Sequence, residues 1–246
     1  MKRSFIVLLS LFISAASFSQ INWNNVKKQA GKVVEDASKG GGTSLSNDEI
    51  IKGLKEALNV GAGNASSFAS KTDGYFKNPK IFIPFPPDAV KIEQTLRNLG
   101  MGAKVDQFNL TLNRAAETAA KEAAPIFLNA VKNMSITDGL QILKGGDNAA
   151  TAYLKKTTTA ELTQKYTPVI DKALASTNAT KYWAELVTLY NKVPNVQKIN
   201  PNLSQYATQK ALDGLFLLVA DEEMKIRKDP AARINDILKK VFGSKY

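Results

Sequence analysis

The stretch ALDGLFLLVADEEMKIRKDPAARINDILKKVF, residues 211–242, decides the fold class. Its centre, residues 215–220, is an unbroken apolar run. Leu212, Leu215, Phe216 and Val219 share one helical face, and Leu217, Leu218 and Ala220 carry apolar surface almost round the cylinder. A helix apolar on every side either crosses a bilayer or lies inside a bundle. A span needs about 20 apolar residues, far more than this run offers, so the spacing predicts a rod buried among other helices. Asp213 stands three residues before Phe216, and Glu222 or Glu223 must border the packed face. Asp229 is a good N-cap, and Pro230 suits the first turn of a following helix, where its missing N–H is not needed. Ile234, Ile237, Leu238 and Val241 then recur at helical spacing up to Gly243. The stretch reads as a buried helix, a corner at Asp229–Pro230 and an amphipathic return helix.

Upstream, the same grammar repeats. Ser46 with Glu49 forms a capping box before Ile50, Ile51, Leu54 and Leu58, and Gly61 and Gly63 weaken or bend the continuation of that helix. Residues 88–98 form a helix ended by Gly100. Residues 103–124 form a long one with Val105, Phe108, Leu112, Ala115, Ala116 and Ala119 inward, and Pro125 kinks or restarts it. Ser135 with Asp138, Asp147, Thr158 with Glu161, Asn178 or Thr180, and Ser204 are further helix starts. Strand alternation is almost absent. The exception is residues 73–87, DGYFKNPKIFIPFPP, whose prolines forbid a helix and confine any strand to an edge. This segment reads as an apolar strap across the bundle, with a ligand lip as the alternative. The expected fold is all-α, a single multi-helix bundle over residues 46–244, with at most one short extended segment near residues 80–86.

The first residues read as a targeting segment. Lys2 and Arg3 precede the apolar residues 5–13, and Ser17 and Ser19 are the small residues before a cut ahead of Gln20, the pattern of a secretory signal peptide over residues 1–19. No cysteine follows that cut, which argues against a lipid anchor, and no later run is long enough for a bilayer. Residues 20–45 read as an amphipathic segment, with Trp23, Val26, Ala30, Val33 and Val34 on one side, and a linker containing Gly40, Gly41 and Gly42. An exported chain, periplasmic or secreted, is the expectation.

Composition removes whole classes of chemistry. The 246 residues include no histidine and no cysteine. Triads and dyads that use histidine are therefore impossible, as are zinc sites of the His or Cys type, histidine-ligated haem and disulfides. Neither a metal site nor a cofactor is expected. Any acid–base chemistry would fall to Asp, Glu, Lys or Tyr. The formal charge of +11 favours anionic partners. Without a dense Arg/Lys cluster interleaved with aromatics, it argues against nucleic acid.

Six stretches carry a family likeness: KTDGYF (residues 71–76), IPFP (83–86), NRAAE (113–117), APIF (124–127), ALDGLF (211–216) and EEMKIRKDPAAR (222–233). On these, residues 46–243 resemble a bacterial envelope family, domain of unknown function 4197. The resemblance implies an exported, largely helical domain and no particular activity, cofactor or site.

Charged residues supply the candidate site. Arg114, Glu117 and Lys121 share a helix face, read here as a solvated ion-pair ladder, with a groove lining as the alternative. Asp213 lies in the most apolar stretch, where an unpaired carboxylate is costly. The expectation is that it caps a neighbouring helix or pairs with Arg114, Arg227 or Arg233. Glu222, Glu223, Arg227 and Arg233 flank the Asp229–Pro230 corner. Glu223 and Arg227 form an i, i+4 pair, whereas neighbouring Glu222 and Glu223 diverge and make a poor catalytic dyad. Three functions remain open. The first is a non-enzymatic binding domain of the envelope, for an unidentified protein or a small apolar or anionic ligand. The second is a His-free hydrolase, with glycans as the candidate substrate, acting through Asp213, Glu117 or Glu222. The third is a structural assembly protein.

Overall fold

A computed structural model describes residues 46–192, 194–195 and 197–228; the expected signal peptide, the segment and linker expected over residues 20–45, Arg233, and the corner and return helix expected after residue 228 lie outside the described residues. The described chain is all-α, in the order α1 (Asn47–Ala69), α2 (Val90–Leu96), α3 (Gly102–Ala119), α4 (Ala123–Lys132), α5 (Ile136–Lys144), α6 (Ala149–Ser176), α7 (Ala179–Tyr190) and α8 (Leu203–Lys228). Helix α8 packs along α6 and α1, and α6 also meets α3 and α4. Tyr75, Leu112, Phe127, Tyr166 and Leu215 are among the largest side chains wholly inside, and the rings of Phe127 and Phe216 meet edge to face at 5.9 Å.

Local signals set some boundaries and packing overrode others. The Ser46–Glu49 and Ser135–Asp138 capping boxes both form. The expected start at Thr158 does not exist: α6 runs unbroken from Ala149 to Ser176. Leu154, Thr158, Leu162, Tyr166, Ile170 and Leu174 recur every four residues and are all buried, and a continuous packed stripe outweighs a local capping preference. Pro125 acts one turn upstream, where Ala120–Glu122 tighten into a 3₁₀ turn between α3 and α4; its missing N–H removes the bond that Lys121 C=O would otherwise accept. At the head of α8 the cap is Asn202, whose Oδ1 accepts from Gln205 N–H at 2.9 Å, in place of Ser204.

The α8 rod is buried on all but one stripe. Leu212, Leu215, Phe216 and Val219 are inside, whereas Leu217 is 40% exposed and Met224 41%. Asp213, Leu217, Asp221 and Met224 stand three or four residues apart, so they share that solvent-side stripe. The expectation of apolar contact nearly all round is corrected on this one face.

The strap, residues 71–86, crosses the bundle without forming a strand. Tyr75, Ile81, Ile83 and Phe85 point inward. Gly214 admits it: a Cβ there would lie 2.9 Å from Tyr75 Cε1 and 3.0 Å from Ile81 Cβ. Gly214→Ala is therefore expected to lower unfolding stability by about 1–3 kcal/mol, the usual range for overpacking, measured as a lower urea midpoint at unchanged slope. An unchanged midpoint would show that the strap can slide.

Candidate functional site

The charged candidates divide into two anchors and a remainder. The first anchor holds the strap. Glu117 on α3 is 4% exposed. Its Oε1 accepts the backbone N–H groups of Tyr75 and Phe76, each at 3.1 Å. Its Oε2 takes Arg114 at 2.6 Å, and the other arm of Arg114 reaches Asp73 at 2.6 Å. Asp73 also pairs with Lys77 at 2.9 Å. The ladder reading of Arg114, Glu117 and Lys121 is thus corrected: Glu117 faces in, because two N–H groups of an irregular segment need an acceptor there. The turn is tight. Asp73 adopts φ 67°, and a Cβ on Gly74 would meet the backbone oxygens of Phe68, Ala69 and Lys71 at 2.4–2.9 Å.

Asn113, one turn away and fully buried, was not singled out from sequence. It accepts from Ile83 N–H and donates to Ile83 C=O, both at 2.8 Å, so a side-chain amide replaces the strand partner that the strap lacks. Its place in NRAAE, next to Arg114, was the available signal. Tyr75 donates its hydroxyl to Ala211 C=O at 2.6 Å. Burial, and then the nearby Glu117 charge, pushes that hydroxyl well above the ordinary tyrosine range, so it remains a donor.

The second anchor ties α8 to α5 and α6. Glu223 accepts from Ala150 N–H at 2.9 Å, Thr151 N–H at 2.8 Å and the Thr151 hydroxyl at 2.7 Å. It caps α6 from another helix, the role that Asp147 was expected to play. Arg227 donates to Glu223 at 2.9 Å and to Ile142 C=O at 2.8 Å, closing the C-terminus of α5. The i, i+4 pair is present. Glu222 turns away to Asn64 and Lys225, as the divergence of neighbouring helical residues requires.

Asp213 joins neither anchor. It is half-buried and accepts from Gln209 at 3.0 Å, so the expected pairing with Arg114 or Arg227 is corrected; Arg233 lies outside the described residues. The cause is its place on the wet stripe of α8. Among the described residues no group of His, Cys, Asp and Glu is gathered to hold a metal ion, and no helix is long and apolar enough to cross a membrane.

Acid should loosen the strap. Hydrogen bonds from Lys77, and then from Arg114, hold the Asp73 carboxyl below its ordinary range. A depressed folded value adds stability above the unfolded value of about 3.9 and loses it as pH falls through the folded one. Asp73→Asn is expected to flatten the acid limb of the melting temperature below about pH 4. Asp138 and Asp147, also depressed, keep part of the slope. A limb that keeps its full slope in the variant would refute this role.

The open site lies elsewhere. Between α3 and α7 runs a groove of about 680 Å³, lined chiefly by apolar side chains. Its floor is an aromatic trio from three elements: Phe85 of the strap, Phe108 of α3 and Trp183 of α7. Their ring centroids lie 5.0 Å (Phe85–Phe108), 5.5 Å (Phe85–Trp183) and 5.9 Å (Phe108–Trp183) apart. Leu96, Met101, Leu186 and Leu189 form the walls, and Lys104 and Glu185 stand on opposite sides. None of the charged candidates among the described residues lines it. Glu222 borders a separate polar cleft of about 540 Å³, which the Lys80–Asp221 and Lys225–Glu222 ion pairs flank. Helical spacing marks Phe108 as inward-facing without saying whether another element covers that face. The strap and lip readings of residues 73–87 meet at Phe85, which is buried and also floors the groove.

Known proteins add one match. A family model described as a protein of unknown function (DUF4197) covers residues 44–243. No curated protein and no solved structure matches. The match spans the strap, both anchors and the groove, and the chain belongs to the DUF4197 family.

Proposed function

We propose that this domain is a non-enzymatic binding module of the bacterial envelope, exported by its N-terminal segment, and that the groove between α3 and α7 is where it binds. The observation that carries the reading is the aromatic-floored groove itself. Ligand sites are typically concavities of about 300–1,000 Å³, mostly apolar with a few polar groups, and this one has that size and lining. The acids give it contrast. Both oxygens of Glu117 and of Glu223 are committed to backbone N–H groups and arginines, so they serve the architecture.

Trp183 offers a direct probe. In a Trp23→Phe background it is the only tryptophan. An apolar fluorophore such as anilinonaphthalene sulfonate is expected to bind with micromolar affinity and change Trp183 emission. Leu189→Asp and Tyr182→Ser act on side chains that are 64% and 63% exposed. Each should weaken binding about tenfold, roughly 1.5 kcal/mol of lost apolar burial, without moving the melting temperature. Binding that ignores both variants would place the probe elsewhere and remove the proposal.

A further inference from the structure

Resting on that reading, we infer that the natural occupant of the groove is an amphipathic α-helix of a partner protein. Three observations point there. The first is shape. From Ala179 to Leu189 the lining runs the length of α7, about 15 Å at 1.5 Å per residue, and on the other side it runs from Met101, just before α3, along α3 to Thr111. That length accommodates about three turns of a third helix.

The second is what lies beside the groove. Leu99, Leu189 and Tyr182 are 69%, 64% and 63% exposed, the most exposed large apolar side chains among the described residues. Leu189 and Tyr182 line the groove; Leu99 sits in the turn Arg97–Met101, between the lining residues Leu96 and Met101. A small-molecule site buries most of its ligand inside the cavity, and a slender acyl chain on the floor would leave this rim in water. An amphipathic helix about 10 Å across covers floor and rim together. Aromatic and Met side chains within an apolar patch also match the composition of protein-binding surfaces.

The third is charge. Lys104 on the α3 side and Glu185 on the α7 side have no ion-pair partner among the described residues. A helix with acids along one flank and bases along the other would meet a complementary charge on each wall. This fixes its direction of approach more than its affinity.

The test uses a synthetic 16-residue Leu/Ala helix with Glu along one flank and Lys along the other, titrated against the full mature chain by Trp183 emission and calorimetry. Micromolar binding with an increase in peptide helicity is expected. Leu189→Asp should weaken it at least tenfold. Lys104→Glu, which makes both walls acidic so that reversing the peptide cannot relieve the repulsion of its Glu flank, should weaken it severalfold, and a peptide with Lys along both flanks should restore it. If the fluorophore and lauric acid bind the groove but the peptide does not, or if a scrambled peptide of equal composition binds equally, the helix proposal fails and the binding reading stands. If none of these probes binds, both fail. A concentration-dependent dimer in light scattering that Leu189→Asp dissolves would assign the groove to a second copy and overturn a separate partner.

Discussion

Replacing Glu117 by Ala is expected to lower the unfolding free energy by about 2–5 kcal/mol, chiefly because two backbone N–H groups lose their acceptor. One carboxylate here does three tasks. It accepts the Tyr75 and Phe76 N–H groups, neutralises Arg114 and, through Arg114, steadies Asp73. Truncation leaves two N–H groups without an acceptor, one of them on the wholly buried Tyr75, and each such group costs about 1–3 kcal/mol. Glu117→Gln keeps an acceptor and should cost less. Hydrogen exchange reads the mechanism directly: the Tyr75 and Phe76 amides should lose protection before those of α6. Because Arg114 is 38% exposed, it can rehydrate, so adding Arg114→Ala should cost less than the two single losses summed. A ΔΔG below about 1 kcal/mol, the level of a surface pair, would return Glu117 to the ladder that its spacing suggested.

The second large effect belongs to Glu223. Its carboxylate caps α6, and the pair it forms with Arg227 is nearly dry, 5% and 11% exposed. Glu223→Ala is expected to cost about 3 kcal/mol, of which about 1 kcal/mol is the lost cap and the rest the removed buried partner charge. The local signature is faster exchange of the Ala150 and Thr151 amides. Glu223→Gln should retain part of the cap, because an amide oxygen still accepts from one N–H, while losing the charge pairing. If Glu223→Ala melted as the parent does while Asp147→Ala did not, the cap would belong to Asp147 after all. The two anchors share no partner, so their losses should add within about 0.5 kcal/mol.

The two anchors explain why conspicuous charges in an apolar chain are a poor guide to its site. Glu223 stands out in the sequence because it borders an apolar face, and Glu117 because it shares a helix face with Arg114 and Lys121; both satisfy backbone N–H groups that helices and straps leave over. Asp213 stands out for the same reason as Glu223 and does less, since its stripe of α8 faces water. The groove was recorded in the sequence only as apolar spacing in α3 and α7.

Much of this protein is written locally. Apolar spacing, two capping boxes and the prolines of the strap are enough for an all-α bundle with one irregular crossing, because helix starts and the 3.6-residue period depend on neighbours in the chain. The absence of histidine and cysteine likewise excludes whole chemistries without any structure. What needed tertiary structure were the choices made between distant residues. These include Glu223 capping α6 from 72 positions away, Asn113 replacing a strand partner for Ile83, and the gap left between α3 and α7. Periodicity states which side of a helix avoids water; whether another helix arrives to cover that side depends on how the whole chain packs, and here, along Tyr182 and Leu189, none among the described residues does.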